Sequence, residues 1–253
     1  MIQDELRSRR QTAKAYAIEF VLIFLAVMAG AITENFREDY VERKEVRQYA
    51  RSLVNDLRID TTEISRAQRE KRWLAGIYDS AMLIIDQGLN ESEQGYLYYA
   101  ARYLTVNDVF NCQDVTFLQL QGSGNFRYFE NEALYREISD YYKLNKRYAA
   151  LEGKFGYTEL PEMSELCARL FDMKKLHELD NVETQVEFHK IVRRPGTGMH
   201  VNRGDHEAVA RFYSQLAEAR HRSYASVNFL GLLENQAMVL ADHLETEFDL
   251  KGR

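Results

Sequence analysis

Proline is nearly missing from this chain: Pro161 and Pro195 are the only two in 253 residues, and glycine is sparse at 13. Glycine weakens regular structure through backbone entropy, and proline through its missing N–H. Their scarcity favours long helices over a strand-rich fold with frequent turns. Cysteine is scarce too. Cys112 and Cys167 cannot form a disulfide framework, and a single bridge and two unpaired thiols both fit the sequence. The chain also has no basic cluster: 33 Lys and Arg are interspersed with 39 Asp and Glu, for a net charge of −6. That excludes the concentrated positive surface with which nucleic-acid binders displace counterions from phosphate.

Catalytic signatures are missing as well. There is no His-Glu-x-x-His, no Cys-x-x-Cys and no Gly-x-Ser-x-Gly elbow. A single Glu-x-x-His tetrad, Glu218 to His221, falls short of the two such motifs and two extra glutamates that a di-iron bundle uses. We therefore expect a protein that is not an enzyme, with no catalytic, metal or cofactor-binding residues and no cofactor. What is present is an ordinary balance of 45% apolar and 28% charged residues, which excludes wholesale disorder.

The most informative stretch is Phe20 to Ile32, FVLIFLAVMAGAI, thirteen residues without a charge. Extended back to Ala15 it is interrupted only by Glu19. A span needs about 20 residues at roughly 1.5 Å rise each, so a transmembrane helix over 15–34 is expected. A buried core helix and a cleaved signal peptide are the rival readings. The apolar character runs all round the helix, unlike the amphipathic remainder, which argues against the first. Glu19 interrupts the apolar run and the helical pattern continues past it, which argues against the second. Tyr16 suits an interfacial belt, and Glu19 lies where a carboxylate can reach headgroups or a partner. Tyr16, Glu19, Phe20, Phe24, Met28, Asn35 and Phe36 are the expected anchor and partner contacts.

Arg7, Arg9, Arg10 and Lys14 precede the span, and Arg37, Arg43, Lys44 and Arg47 follow it. The basic counts nearly tie, and the short tail of residues 1–14 tips the expected orientation toward a cytoplasmic N-terminus with the large 35–253 domain periplasmic.

From Ala31 to Ala75 no proline or glycine occurs, so the span should run straight into a long extension. Positions 46, 50, 53, 57, 60, 64, 67, 71, 74, 78, 81 and 85 follow four–three spacing, and ten of the twelve are apolar, with Asp60 and Lys71 as polar breaks. This is a coiled-coil-like seam, able to pack within the chain or to self-associate through the 46–85 helix. Gly88 and Asn90 supply its stop. Further helices are expected over about 92–104, 115–121 and 130–155, after Pro161, and from Asp205 to Phe248. The turn Gly122-Ser123-Gly124-Asn125 should place Asn125 or a glycine at positive φ. The expected fold is all-α: an N-terminal transmembrane helix continuing into an elongated bundle with two very long helices.

The loop Arg193–His206 gathers Arg193, Arg194, His200 and Arg203 around glycines ahead of a helix start. It reads either as a connector or as an anion-binding loop, since free N–H groups and the helix dipole favour negative charge. The tyrosines at 96, 98, 99, 103, 128, 135, 141 and 142 suit either a half-buried bundle surface or an interface.

Two segments, YAIEFVLIFLAVMAGAITENFRED (Tyr16–Asp39) and TFLQLQGSGNFRYFENEALYREISDYY (Thr116–Tyr142), resemble a family of bacterial single-span membrane proteins with no assigned activity. Glu19, Asn35 and Phe36 fall on the family's glutamate opening and Asn-aromatic close. Ile18 stands where that family has glycine, and Phe36 where it has tryptophan. The resemblance implies topology and helical architecture in a bacterial inner membrane, and no reaction.

The expected function is an accessory or scaffold subunit of a larger integral-membrane complex, respiratory or photosynthetic in kind. Its partners would be lipid and other integral-membrane subunits, not nucleic acid. The alternative is an extracytoplasmic ligand-sensing bundle that signals through a separate partner.

Overall fold

The structure, a computed structural model, describes residues 2–106, 109–129, 131–157, 160–181, 188–196 and 198–250, with side chains from Glu19 onward apart from those of 39, 154–157 and 160. Helices α1 (Ile2–Asp86), α2 (Gln94–Leu104), α3 (Val115–Ser123), α4 (Glu132–Tyr157), α5 (Leu160–Leu170), α6 (Met173–His177) and α7 (His206–Glu247) build it. Among the described residues no strand forms, and one antiparallel bridge joins Asp180 to Val192.

With no breaker before Gly76 except Gly30, α1 runs unbroken for 85 residues, about 130 Å. It ends where glycine permits: Gly88 takes φ +90°, its N–H bonds the Ile85 carbonyl, and the Leu89 N–H reaches back to Ile84 at 3.1 Å. That is a Schellman cap. Gly124, at φ +71°, makes the tight turn after α3. The long α7 starts at Asp205, whose carboxylate accepts from the Ala208 N–H at 3.0 Å.

The four–three seam of α1 is the bundle's spine. Eleven of its twelve positions are buried and Ile85 is half-buried. They face α7, which runs antiparallel: Arg58 pairs with Glu245, Arg220 with Asp79, and Tyr213 with Asp86. The seam thus closes within one chain. Helix α4 lies parallel to α1 at a constant offset, because Asp60 meets Tyr141 and Lys71 meets Glu152, each 81 residues apart.

Two apolar cores result. The one nearer the N-terminal span joins Leu53, Leu57 and Ile64 to Leu120, Ile138, Tyr141, Leu230 and Leu240. The distal one joins Leu74, Tyr78 and Ala81 to Leu97, Tyr98, Tyr103, Leu170, Phe212 and Leu216. Between them lies a polar belt. Lys71 Nζ donates to Glu152 at 2.8 Å, Ser226 donates to the same carboxylate, and Gln68 Nε2 reaches Glu234 at 2.8 Å. The two polar breaks in the seam are therefore partnered, and they lock the α1–α4 register. A charge left unpartnered in this interior would cost several kcal/mol.

Candidate functional site

Every described side chain from Glu19 to Glu38 is exposed. Phe20 is 70% accessible, Phe24 55% and Met28 44%, so none of the described residues covers this apolar helix. α1 is long and apolar enough here to cross a membrane. At about 100° per residue, Phe20, Phe24, Met28 and Asn35 share one face. Glu19 falls on the opposite side with Ala26, Gly30 and Thr33, and Phe36 projects between the two. The side chain of Tyr16 lies outside the described residues.

The Arg193–His206 loop is pinned to the bundle rather than hanging free. Buried Gln94 accepts from the Val201 N–H at 2.8 Å, and the Tyr98 hydroxyl donates to the His200 carbonyl at 2.8 Å. Lys175 reaches the Gly198 carbonyl at 2.6 Å. Arg203 donates to Leu89 O at 3.0 Å, serving the C-terminus of α1. The N-terminus of α7 is occupied by Asp205, itself held by two hydrogen bonds from Arg169 that keep its carboxyl below the usual range. Arg194 lines a cavity, while Arg193 bonds the Leu179 carbonyl through its backbone N–H and Arg203 turns to Leu89.

That cavity is a cleft of about 810 Å³ between α1, α2 and the 188–196 segment. Its apolar floor is Ile77 and Val192, both buried. Trp73, the chain's single tryptophan, meets Tyr103 edge-on at 5.0 Å and faces His189 at 6.4 Å. Tyr99 stands 5.0 Å from Tyr103 and 5.9 Å from Tyr96. An aromatic ladder therefore runs from the cleft into the distal core. Burial raises the Tyr96 hydroxyl's pKa, opposed by Ser80 and by the Arg194 charge. Gly95 lets the loop approach closely: a Cβ there would sit 3.2 Å from Pro195 Cβ, so Pro195 would have to give by a few tenths of an ångström.

The near-span core holds a buried acid. Asp60, 1% exposed, accepts from the Gln113 N–H at 2.8 Å and from the Tyr141 hydroxyl at 2.6 Å. Burial outweighs both bonds and pushes its pKa up to about 6, helped by Asp56 and Asp114. Cys112, beside it, is pushed up to about 12 by burial, then by Asp60. Cys167 sits in the distal core, up at about 11 from burial. The two thiols are free and far too weakly acidic to act as nucleophiles near neutrality. Glu218 and His221 lie exposed on α7, and among the described residues no group of three or more His, Cys, Asp and Glu converges.

Sequence reasoning singled out Tyr96, Tyr99 and Arg194 separately but missed Trp73, Ile77, His189 and Lys190 as their neighbours. One signal was available: Trp73 flanks the seam position Leu74, where a lone large aromatic implies a second, off-seam contact. Among known proteins, no family model, curated protein or solved structure matches the chain.

Proposed function

We propose that this chain is a non-enzymatic accessory subunit of a larger integral-membrane assembly, anchored in a bacterial inner membrane by residues 15–34. The N-terminus is cytoplasmic and the bundle periplasmic. The observation that carries this reading is the uncovered apolar segment 19–38, joined without a break to a helix whose seam is fully used within the chain. An apolar helix exposed all round needs lipid or another protein around it. The face bearing Ala26, Gly30 and Thr33 suits close approach of a partner helix, while Phe20, Phe24 and Met28 suit lipid. Continuity of α1 makes the bundle a rod standing on the span, so a partner gripping the span also fixes the domain.

Purification of the tagged full chain in gentle detergent should bring down membrane subunits in stoichiometric amount, and Gly30→Leu should reduce their yield. A clean monomer would defeat the reading. The cleft favours a second reading, a ligand-sensing bundle acting through a separate partner. Its centre lies about 41 residues past Ile32 along α1, roughly 60 Å from the span.

A further inference from the structure

We infer that the Trp73 cleft is a binding site for a flat aromatic carboxylate. This stands apart from the docking reading: the site can bind whether or not the span engages a partner, and the test below does not involve one.

Size comes first. About 810 Å³ falls within the roughly 300–1,000 Å³ of small-molecule pockets. A bare inorganic anion would leave most of it empty. The lining then sets the shape. Trp73, Tyr96 and Tyr99 offer ring surfaces above the buried Ile77 and Val192, which suits a planar apolar body. Charge sets the sign. Arg194 stands exposed at the rim with no ion pair among the described residues. Among the described residues no acidic side chain lines the cleft, so the Arg194 charge favours an anionic over a cationic aromatic. A guanidinium offers a fork of N–H donors that matches a carboxylate bidentately.

The walls are also built rather than incidental. The close seat of Pro195 on Gly95 and the Gln94–Val201 bond fix Pro195 and Val201 against α2. A preformed cleft loses little ordering entropy on binding.

Because the chain has one tryptophan and it lines the cleft, its indole N–H is a single-site reporter. The experiment titrates 15N-tryptophan-labelled full-length protein in micelles with 2-naphthoate and follows the one indole resonance. Acetate, benzyl alcohol and benzylamine serve as controls. A saturable shift with 2-naphthoate below roughly 5 mM is expected, with none of the controls saturating in that range. Arg194→Ala should weaken binding about tenfold, and Arg194→Lys should recover part of it. Arg194 is exposed, so both variants should fold, and an unmoved indole position without ligand checks this. No saturable shift with 2-naphthoate would overturn the assignment. So would equal response to benzylamine, or binding indifferent to Arg194→Ala.

Discussion

One helix, α1, lives in two surroundings. Over residues 19–38 all of its described side chains are exposed, apolar ones included, whereas from Val46 to Ala81 every seam position is buried under α7, α4 and their neighbours. Both stretches are helical, so the amount and the arrangement of apolar residues make the difference. Apolar residues all round leave no polar side to face water, while a four–three stripe leaves one side wet and the other dry. The contrast teaches that one continuous helix can present an uncharged apolar surface all round in one stretch and a single buried stripe in the next.

The contrast is broken most severely at Lys71, the polar member of the buried stripe. Lys71→Ala removes the buried ion pair with Glu152 and should cost about 3–5 kcal/mol, read by denaturant unfolding in micelles. Replacing both residues with apolar ones of similar volume should restore most of that. If the single variant unfolds at the same denaturant concentration as the parent, the belt does not hold the register.

Next in size is a matched pair of truncations. Leu57→Ala, in the covered part, should destabilise the bundle by about 2–4 kcal/mol, since Leu57 is 1% exposed. Leu25→Ala, in the uncovered part and 50% exposed, should change bundle unfolding by less than about 0.5 kcal/mol. Equal effects would mean that the two regions are not energetically distinct.

The third effect is a pH slope. Asp60's folded pKa of about 6 lies above its unfolded value of 3.8, so the folded state holds the proton more tightly. Its contribution is fully present below about pH 4 and is lost as the pH rises through about 6, a change of up to about 3 kcal/mol. Asp60→Asn stays neutral throughout. Its carbonyl can still accept from the Gln113 N–H, so stability between pH 4 and 7 should lose that slope. A variant with the parent's slope would place the titration elsewhere.

Much of the fold was legible before any coordinates. The seam, the glycine stop at Gly88, the Gly124 turn and the Asp205 start of α7 are local, and each follows from spacing or from one residue's backbone preference. Helix α6 was not foreseen: five residues, Met173–His177, carry no periodicity, although Asp172 caps them by accepting from the Lys174 N–H. The sequence left the 46–85 seam open to packing within the chain or to self-association; in the structure it packs within the chain, where α7 supplies a matching antiparallel stripe. The partners of Asp60 and Lys71 were invisible for a different reason. Tyr141 and Glu152 lie 81 residues away, and only the parallel packing of α4 brings them near. The cleft was illegible on the same ground, since Trp73, Tyr96 and Arg194 belong to three separate segments that meet through the Gly95–Pro195 contact.

The central claim is that α1 changes solvent between Glu19 and Val46. Its most direct test is to express the full chain, wash the membranes with alkaline carbonate and assay pellet against supernatant. The chain should stay in the pellet until detergent is added, and the double variant Ala26→Arg, Val27→Arg should release it, each arginine costing about 2.5–3.5 kcal/mol at mid-span. A full-length chain that is monodisperse in water without detergent would contradict the account.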